Sequence, residues 1–251
     1  MTVRRPGSRQ PPPAWWLDAL LVAGFVGITW TLAAGGPPSA LPPGRGLLGI
    51  DLAVAHWCDR HQPAVTHGLA LAGNYLGQGG ALTMLCALIA LILAGRRHSV
   101  RPVLPVLVAF ALTFGTLQPL KSLTDRPAPH AALAHPERFG MGGQSYPSGH
   151  LVNALVWYGI LALLLAPWLP EQWRKVLRFG PPAVLTVTTI YLGYHWLSDT
   201  VAGLLLGLLL DRLLRRVDWD RIPLGTRLGA AGWAGPGLSD PPHVPAGRRE
   251  G

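Results

Sequence analysis

The sequence predicts an all-α polytopic membrane protein, with six transmembrane helices and a short interfacial helix between the first two. Apolar residues make up 49% of the chain and charged residues only 13%, whereas a soluble domain usually carries about 25% charged residues. The mean hydropathy is +0.31. Apolar runs of about 20 residues, the length that crosses a bilayer, recur along the chain. Together these observations favour a helical bundle embedded in a membrane.

The parts that flank the membrane domain have a different composition from it. Residues 1–13 form a Pro- and Arg-rich head that we expect to be disordered. The membrane domain is predicted at 14–216. A Gly- and Pro-rich tail, residues 217–251, follows it and is expected to be disordered from Ile222 onward. Within the domain, residues 48–60 are amphipathic and predict the interfacial helix.

The six spans are placed where apolar runs begin and end. They are predicted at 14–34, within 64–94, and at 103–123, 149–168, 179–195 and 197–213. Glycines and prolines mark the segments 35–47 and 124–147 as loops. The second run is interrupted by four polar or small residues, so we expect this span to tilt or its start to protrude. These residues are Asn74, Gln78, Gly79 and Gly80.

The distribution of basic residues predicts the orientation in the membrane. The formal net charge is +9, and most of the positive charge falls in four short clusters: Arg4, Arg5 and Arg9; Arg96, Arg97 and Arg101; Arg174, Lys175 and Arg178; and Arg212, Arg215 and Arg216. Such clusters are typical of membrane loops and argue against a nucleic-acid partner. If six helices alternate, all four lie on one side, which the positive-inside tendency makes cytoplasmic. Both termini are then cytoplasmic, and 35–62, 124–147 and the turn near 196 face outside.

Two short polar segments at the edges of apolar runs predict a functional site. They are Tyr146-Pro147-Ser148-Gly149-His150 and His195-Trp196-Leu197-Ser198-Asp199. Ionisable groups are costly near a bilayer and usually mark function there. If this segment is helical, His195 and Asp199 share one face and can touch. A carboxylate that holds one imidazole nitrogen leaves the other free to attack, so we predict His195 as nucleophile and Asp199 as its orienter. The alternative is an interfacial histidine beside a capping aspartate.

The first of these segments lies at the start of the fourth span. Ser148 is a natural N-cap, but Leu151 stands where a capping box needs Glu or Gln. A helix N-terminus also binds anions, and Gly149 would let a phosphate approach the backbone closely. His150, in the first turn, is placed to protonate a leaving oxygen. Anion binding therefore explains more of this segment than helix capping does.

Two cations end the third span on the same side of the membrane. Lys121 and Arg126 could be interfacial side chains whose charged ends reach water. Beside two histidines and a helix N-terminus, they are better explained as a phosphate clamp. Asn153, one turn beyond Gly149, either lines the same region or makes a hydrogen bond between helices.

In order and spacing, these residues resemble the three signatures of the type-2 phosphatidic acid phosphatase superfamily. The matching segments are Lys121 to Pro129, Pro147 to His150 and Thr188 to Asp199. The resemblance implies that His195 attacks phosphorus, that His150 protonates the leaving lipid alcohol, and that water then hydrolyses the phosphohistidine. It further implies that Asp199 supports His195 and that Lys121, Ser148 and Gly149 hold the phosphate. No metal and no cofactor are implied.

The chain departs from the family signatures at two arginines. The first signature expects arginine where Ala128 stands, and the third expects it at Thr189. Each charge-assisted hydrogen bond is worth about 1.5–3 kcal/mol, so losing two would cost activity unless another group compensates. Arg126 lies two residues before Ala128, at most about 7 Å away along an extended chain. We therefore also count Arg126 as a candidate phosphate ligand.

These residues predict an integral membrane phosphatase for lipid phosphates or pyrophosphates, with its site on the extracytoplasmic face. One alternative is a phosphotransferase on the same scaffold, which would pass the phosphoryl group to an alcohol. Another is a lipid-binding or transport protein that kept the fold and lost the chemistry. Phosphatidic acid, phosphatidylglycerophosphate and polyprenyl pyrophosphate are all open as substrates, and the sequence does not indicate an oligomeric state.

Overall fold

The computed structural model describes residues 14–34, 46–224, 232, 233, 235, 237 and 238. All regular structure in this part of the chain is helical. The helices are α1 (Trp15–Ala33), α2 (Gly46–Arg60), α3 (Ala64–Asn74), α4 (Gly79–Arg97), α5 (Val103–Thr124), α6 (Gly149–Leu164), α7 (Glu171–Tyr191) and α8 (Leu197–Arg216), with a 3-10 turn at Tyr75–Gly77. The predicted disordered head and most of the tail lie outside the described residues, as does most of the loop 35–47.

Helix α6 forms the centre of the bundle. Of its 16 residues, 12 are buried, and α4, α5, α7 and α8 all pack against it, while α1 packs on α8. Small residues on α8 permit the closest approach. A Cβ atom added at Gly203 would lie 2.8 Å from the Ser148 carbonyl oxygen, and one added at Gly207 would lie 2.8 Å from the side chain of Leu155. Beyond its first two turns, which hold His150 and Asn153, the core helix is almost entirely apolar, as expected of a helix enclosed by others.

The predicted second span is two helices, α3 and α4, and not one interrupted helix. The chain leaves helical geometry at Gln78, whose backbone is extended (φ −71°, ψ 95°). Gly77 lies against α6 and α7, because a Cβ atom there would come within 2.9 Å of the His150 ring and 2.8 Å of Leu185. The polar and small residues seen in the sequence thus mark a break that brings this corner of the chain close to the centre of the bundle.

Helix α7 also differs from its prediction. It begins at Glu171, eight residues before the predicted 179, and ends at Tyr191. The polar first turn is a favourable helix start, because Glu171 lies near the positive end of the helix dipole and pairs with Lys175 at 2.7 Å. Because α7 ends at Tyr191 and α8 begins at Leu197, His195 lies in the turn between them and not at the end of a helix.

Three of the described helices are long and apolar enough to cross a bilayer: α1, α4 and α5. Helix α6 is as apolar but has only 16 residues. Large apolar side chains on the outside of the bundle, such as Met84 and Phe114, are more than half exposed. In water such a surface would be unfavourable, whereas a bilayer accommodates it.

The two ends of the bundle carry different side chains. Helices α6 and α8 begin, and α5 and α7 end, at the end that holds the two histidines. The opposite end is basic, and there the described part of the tail packs on the bundle. Trp219 and Leu238 are buried, and Arg101 donates hydrogen bonds to the carbonyl oxygens of Trp219 and Ile222, each at 3.2 Å.

Candidate active site

A cavity of about 650 Å³ opens at the histidine end of the bundle. Four helix termini and the loop 125–148 meet around it. Its lining is polar or small, and consists of Gly77, Gln78, Gly79, Lys121, Ala128, Gln144, Ser145, Gly149, His150, Asn153, Tyr194 and His195. The two predicted histidines therefore share one cavity with Lys121 and Gly149.

The imidazole rings of His150 and His195 are in direct contact. Nδ1 of His150 lies 3.2 Å from Nε2 of His195, and the ring planes are nearly perpendicular at 73°. His150 is held in the first turn of α6. His195 is held by the tight turn before α8, where its backbone N–H donates to the Thr189 carbonyl at 3.3 Å. Helix α7 ends at Tyr191, four residues before His195. The turn therefore holds the His195 ring at the junction of α7 and α8.

Asp199 reaches His195 through a serine and not by direct contact. The shortest direct distance, from Nδ1 of His195 to Oδ2 of Asp199, is 3.8 Å. Between them, the hydroxyl of Ser145 lies 3.3 Å from Nδ1 of His195 and 2.5 Å from Oδ2 of Asp199. The two residues are not on one helical face, because α8 begins only at Leu197. Asp199 instead closes the first turn of α8 by accepting the Trp196 N–H at 3.2 Å.

The hydrogen-bond pattern assigns the protons of this chain of groups. An ionised Asp199 can only accept hydrogen bonds, so Ser145 donates its one hydroxyl proton to the carboxylate. The Ser145 oxygen must then accept from Nδ1–H of His195. In a neutral ring this leaves Nε2 of His195 with its lone pair. The contact at Nε2 therefore requires a proton on Nδ1 of His150, which donates it.

Arg126 is completely buried behind the histidines and not in the cavity. One terminal nitrogen donates to Oδ1 of Asp199 at 2.5 Å, and the other to Oδ2 of Asp51 at 2.7 Å. Its Nε donates to the Glu137 carbonyl at 2.8 Å, and its guanidinium lies 5.4 Å from the Trp196 ring centre. The sequence predicted that Arg126 contacts phosphate directly. This geometry instead favours a role in holding Asp199.

Asp51 ties helix α2 to the same cluster. It is 1% exposed and accepts from the backbone N–H of Ser198 at 2.9 Å and from the Ser198 hydroxyl at 2.5 Å. Burial raises the pKa of the Asp51 carboxyl, and the Arg126 charge and the Ser198 hydrogen bonds oppose that rise. The two carboxylates thus share one arginine, and α2 is anchored to the start of α8.

Tyr146 links helix α1 to the loop that carries Ser145. Its ring is fully buried between Phe25 and Phe139, and its hydroxyl lies 2.6 Å from that of Thr29. Burial raises the pKa of Tyr146 to about 12, so the hydroxyl keeps its proton at neutral pH. The peptide bond from Tyr146 to Pro147 is cis.

The predicted phosphate-holding residues fall in different places. Lys121 lines the cavity, and its ammonium donates to the Gln144 carbonyl. Gly149 lines it too, and a Cβ atom there would lie 3.5 Å from Cε of Lys121. Ser148 is buried against α8; it stands at the N-cap position of α6, but its hydroxyl has no hydrogen-bond partner among the described residues. Its backbone N–H donates to the Asp199 carbonyl at 3.0 Å.

The positions of the two missing arginines are not equivalent. Ala128 lines the cavity, so a longer side chain there would reach into it. Thr189 is fully buried, and its hydroxyl donates to the Leu185 carbonyl of its own helix at 2.7 Å. Within the described residues, Lys121 is thus the one lysine or arginine in the cavity lining. Besides Ser145 and the two histidines, the other polar side chains there are the neutral ones of Gln78, Gln144, Asn153 and Tyr194.

The sequence alone missed two kinds of residue at this site. Ser145 directly precedes the predicted segment, and its position one residue upstream was the available signal. Asp51 lies in a segment predicted to be interfacial, and a lone acidic residue in an apolar stretch marks it. Its pairing with Arg126, 75 residues away, is a tertiary contact without a local pattern. No three His, Cys, Asp or Glu side chains in the described segments are arranged to hold a metal ion.

Comparison with known proteins finds a family match over the part of the chain that holds this site. Residues 102–223 match the PAP2 superfamily. Phosphatidylglycerophosphatase B of Bacillus subtilis (strain 168) is 36% identical over 117 residues, which cover 43% of this chain and 55% of that protein. The chain therefore matches a little over half the length of this relative.

A solved structure shares the fold. The crystal structure of the first transmembrane PAP2 type phosphatidylglycerolphosphate phosphatase from Bacillus subtilis superposes with a TM-score of 0.63 at 22% identity. The superposition covers 82% of this chain and 98% of that one. With its apolar helices and this transmembrane fold neighbour, the chain is a membrane protein whose described regular structure is helical. The segment that matches the PAP2 superfamily, residues 102–223, holds both histidines, Asp199 and Lys121.

Proposed function

We propose that this protein is a membrane phosphatase that removes phosphate from lipid phosphates through a phosphohistidine on His195. The observation that carries the proposal is the directed chain of hydrogen bonds from Asp199 through Ser145 to His195 and on to His150. That chain leaves an unprotonated nitrogen, Nε2 of His195, beside a protonated one, Nδ1 of His150. A nucleophile and a general acid thus face each other across 3.2 Å in the cavity.

In the proposed first step, Nε2 of His195 attacks phosphorus and the bond to the lipid oxygen breaks. His150 enters this step as an imidazolium; its Nδ1 proton passes to that oxygen, so the lipid leaves as a neutral alcohol and His150 becomes a neutral imidazole. His195 becomes a phosphorylated imidazolium that keeps its Nδ1 proton. In the second step, His150 takes a proton from water, and the hydroxide attacks phosphorus and releases His195. The substrate must displace the contact between the two rings to enter.

Ser145 and Asp199 support the step in which His195 becomes positive. The carboxylate charge, relayed by the Ser145 hydroxyl, stabilises the imidazolium and holds the ring so that Nε2 faces the cavity. Arg126 keeps Asp199 ionised and in place through the contact at 2.5 Å. Ser145 and Arg126 are therefore positioning residues that act on the nucleophile through Asp199.

Lys121 and the N-terminus of α6 stabilise the phosphate charge. The free N–H groups of the first turn, with the positive end of the helix dipole, favour an anion beside Gly149. Lys121 adds one full charge, and Gln78, Asn153 and Tyr194 are neutral donors around the same cavity. We propose that these neutral groups take over part of the role of the arginines absent at Ala128 and Thr189.

Phosphatidylglycerophosphate is the first substrate to test, because the names of both relatives refer to it. Purified protein would be given phosphatidylglycerophosphate, phosphatidic acid and a polyprenyl pyrophosphate in detergent, and released phosphate would be measured with wild type and His195→Ala. Release by wild type alone is expected. Equal release from both proteins would overturn the proposal. If phosphate appeared only on an added alcohol and not in free form, the reaction would be phosphotransfer and not hydrolysis. No turnover of any lipid, with intact folding, would favour a binding or transport role.

We also propose that six helices, α1 and α4 to α8, cross the membrane and that the site faces the extracytoplasmic side. The basic residues at the opposite end support this orientation. A variant without Cys58 and Cys86 would receive one new cysteine, as Gln144→Cys or Lys175→Cys. An impermeant maleimide on intact cells should label only the former. Labelling of the latter alone would reverse the orientation.

A further inference from the structure

A second cavity lies at the basic end of the bundle, away from the histidines. It has a volume of about 390 Å³, lies between the end of α6, the start of α7 and the end of α8, and is lined by Ala162, Leu163, Ala166, Glu171, Arg174, Lys175, Arg178, Phe179, Arg215, Val217 and Trp219. On α6, His150 and Ala162 are separated by 12 residues, or about 18 Å along the axis. This basic cavity is therefore distinct from the candidate active site.

The basic cavity carries positive charge that its own acidic groups do not balance. Lys175 pairs with Glu171 at 2.7 Å, and Arg178 pairs with the buried carboxylate of Asp211. Arg174 and Arg215 remain, and neither has an ion-pair partner among the described residues. Two arginines around one cavity, without a partner in these parts of the chain, leave a net charge of +2 for a ligand to neutralise.

Three residues that line the basic cavity also carry buried hydrogen-bond donors without an acceptor among the described residues. The Nε atoms of Arg174 and Arg178 and Nε1 of Trp219 are buried and have no acceptor in the described portion of the chain. A buried donor without an acceptor costs about 1–3 kcal/mol. Three such donors around one cavity indicate a ligand that is rich in acceptor oxygens.

The rest of the lining is apolar and selects the kind of anion. Leu163, Phe179 and Val217 contribute hydrocarbon surface beside the arginines. A ligand that fits both parts has a phosphate group for the guanidinium groups, which bind phosphate through several donors at once, and a hydrocarbon part for the wall. Basic pockets between transmembrane helices at the membrane surface bind anionic lipid headgroups.

We infer that the basic cavity binds the phosphate group of an anionic phospholipid, with Arg174 and Arg215 as its main ligands and the lipid chains outside along the exposed apolar face of α7. The bound lipid neutralises the two unpaired arginines. Its site is separate from the histidine cavity, so this lipid is a structural partner of the bundle and not a substrate.

The test compares lipid retention in variants that replace arginine by glutamine inside and outside the cavity. Wild type, Arg174→Gln/Arg215→Gln and the control Arg96→Gln would be reconstituted with phosphatidylglycerol and phosphatidylcholine, and bound lipids counted by native mass spectrometry. Arg96 is exposed at the same end of the bundle but does not line the cavity. Loss of two charge-assisted contacts should lower phosphatidylglycerol retention about tenfold or more in the double variant. Arg96→Gln should retain it as wild type does.

Further arms of the experiment separate a lipid from other anions. Inorganic phosphate at constant ionic strength should not displace the retained phosphatidylglycerol. Displacement by inorganic phosphate would overturn the lipid assignment and leave a simple anion site. Equal retention by the double variant and the control would overturn the site itself. If the double variant unfolds, the charge-retaining pair Arg174→Lys/Arg215→Lys replaces it and should show weakened retention; unchanged retention there would also count against guanidinium binding.

Discussion

Replacing Ser145 by alanine tests the relay between Asp199 and His195. The substitution removes the hydroxyl that lies 2.5 Å from the carboxylate and 3.3 Å from the imidazole. The direct distance of 3.8 Å is too long for a hydrogen bond. Ser145→Ala should therefore leave both histidines in place and remove the support for the positive charge on His195.

The size of the effect follows from the bond that is lost. Hydrogen bonds to charged groups contribute about 1.5–3 kcal/mol, and each 1.36 kcal/mol of barrier is about a factor of ten in rate. The kcat of Ser145→Ala should thus fall about 10- to 150-fold. KM should change little, because Ser145 acts on the nucleophile and not on the bound phosphate.

The assay is steady-state phosphate release together with the amount of phosphohistidine trapped by rapid quenching. The control is Ser122→Ala, at an exposed position near the end of α5, which should match wild type. Ser145→Thr, which keeps a hydroxyl, should recover part of the lost kcat. A kcat within twofold of wild type for Ser145→Ala, or a loss confined to KM, would refute the relay.

Three further substitutions test the surrounding structure. Arg126→Ala would leave two buried carboxylates unpaired and should lower the free energy of unfolding by about 3–5 kcal/mol. Arg60→Ala, at an exposed position, should change it by less than about 0.5 kcal/mol. Similar unfolding midpoints for both variants would contradict the buried network. Ala128→Arg should raise kcat/KM about tenfold by adding a charged donor to the cavity, and kinetics without any gain would show that this position does not reach the phosphate. Gly203→Ala should lower the free energy of unfolding by about 1–3 kcal/mol, because it overpacks α8 against α6. Gly80→Ala, where a Cβ atom meets nothing within 4 Å, should not lower it. Equal thermal stability of the two variants would refute the close packing.

Local patterns in the sequence predicted much of the fold, because apolar runs and glycine-rich breaks are local signals. The start of α6 at Gly149 and of α8 at Leu197 agrees with the predictions. The break between α3 and α4 was visible as an interruption, but it is a chain turn that packs on the core. The early start of α7 was missed because its first turns are polar, and hydropathy alone does not detect polar helical turns.

The site was harder to predict where it depends on tertiary contacts. The placement of His150, His195 and Lys121 around one cavity follows from which helix ends meet. Arg126 is two residues from the cavity-lining Ala128, yet its side chain turns into the bundle, because buried carboxylates from α2 and α8 attract it. Spacing along a chain does not show which way a long side chain points.

The most direct test of the account is to trap the phosphorylated residue. Wild type and His195→Ala would be mixed with phosphatidylglycerophosphate carrying a labelled terminal phosphate, quenched at alkaline pH within milliseconds to seconds, and mapped by mass spectrometry. The label should appear on Nε2 of His195 in wild type and be absent from His195→Ala. Label on His150, or turnover of the lipid with no phosphohistidine at any time, would contradict the assignment of His195 as the nucleophile.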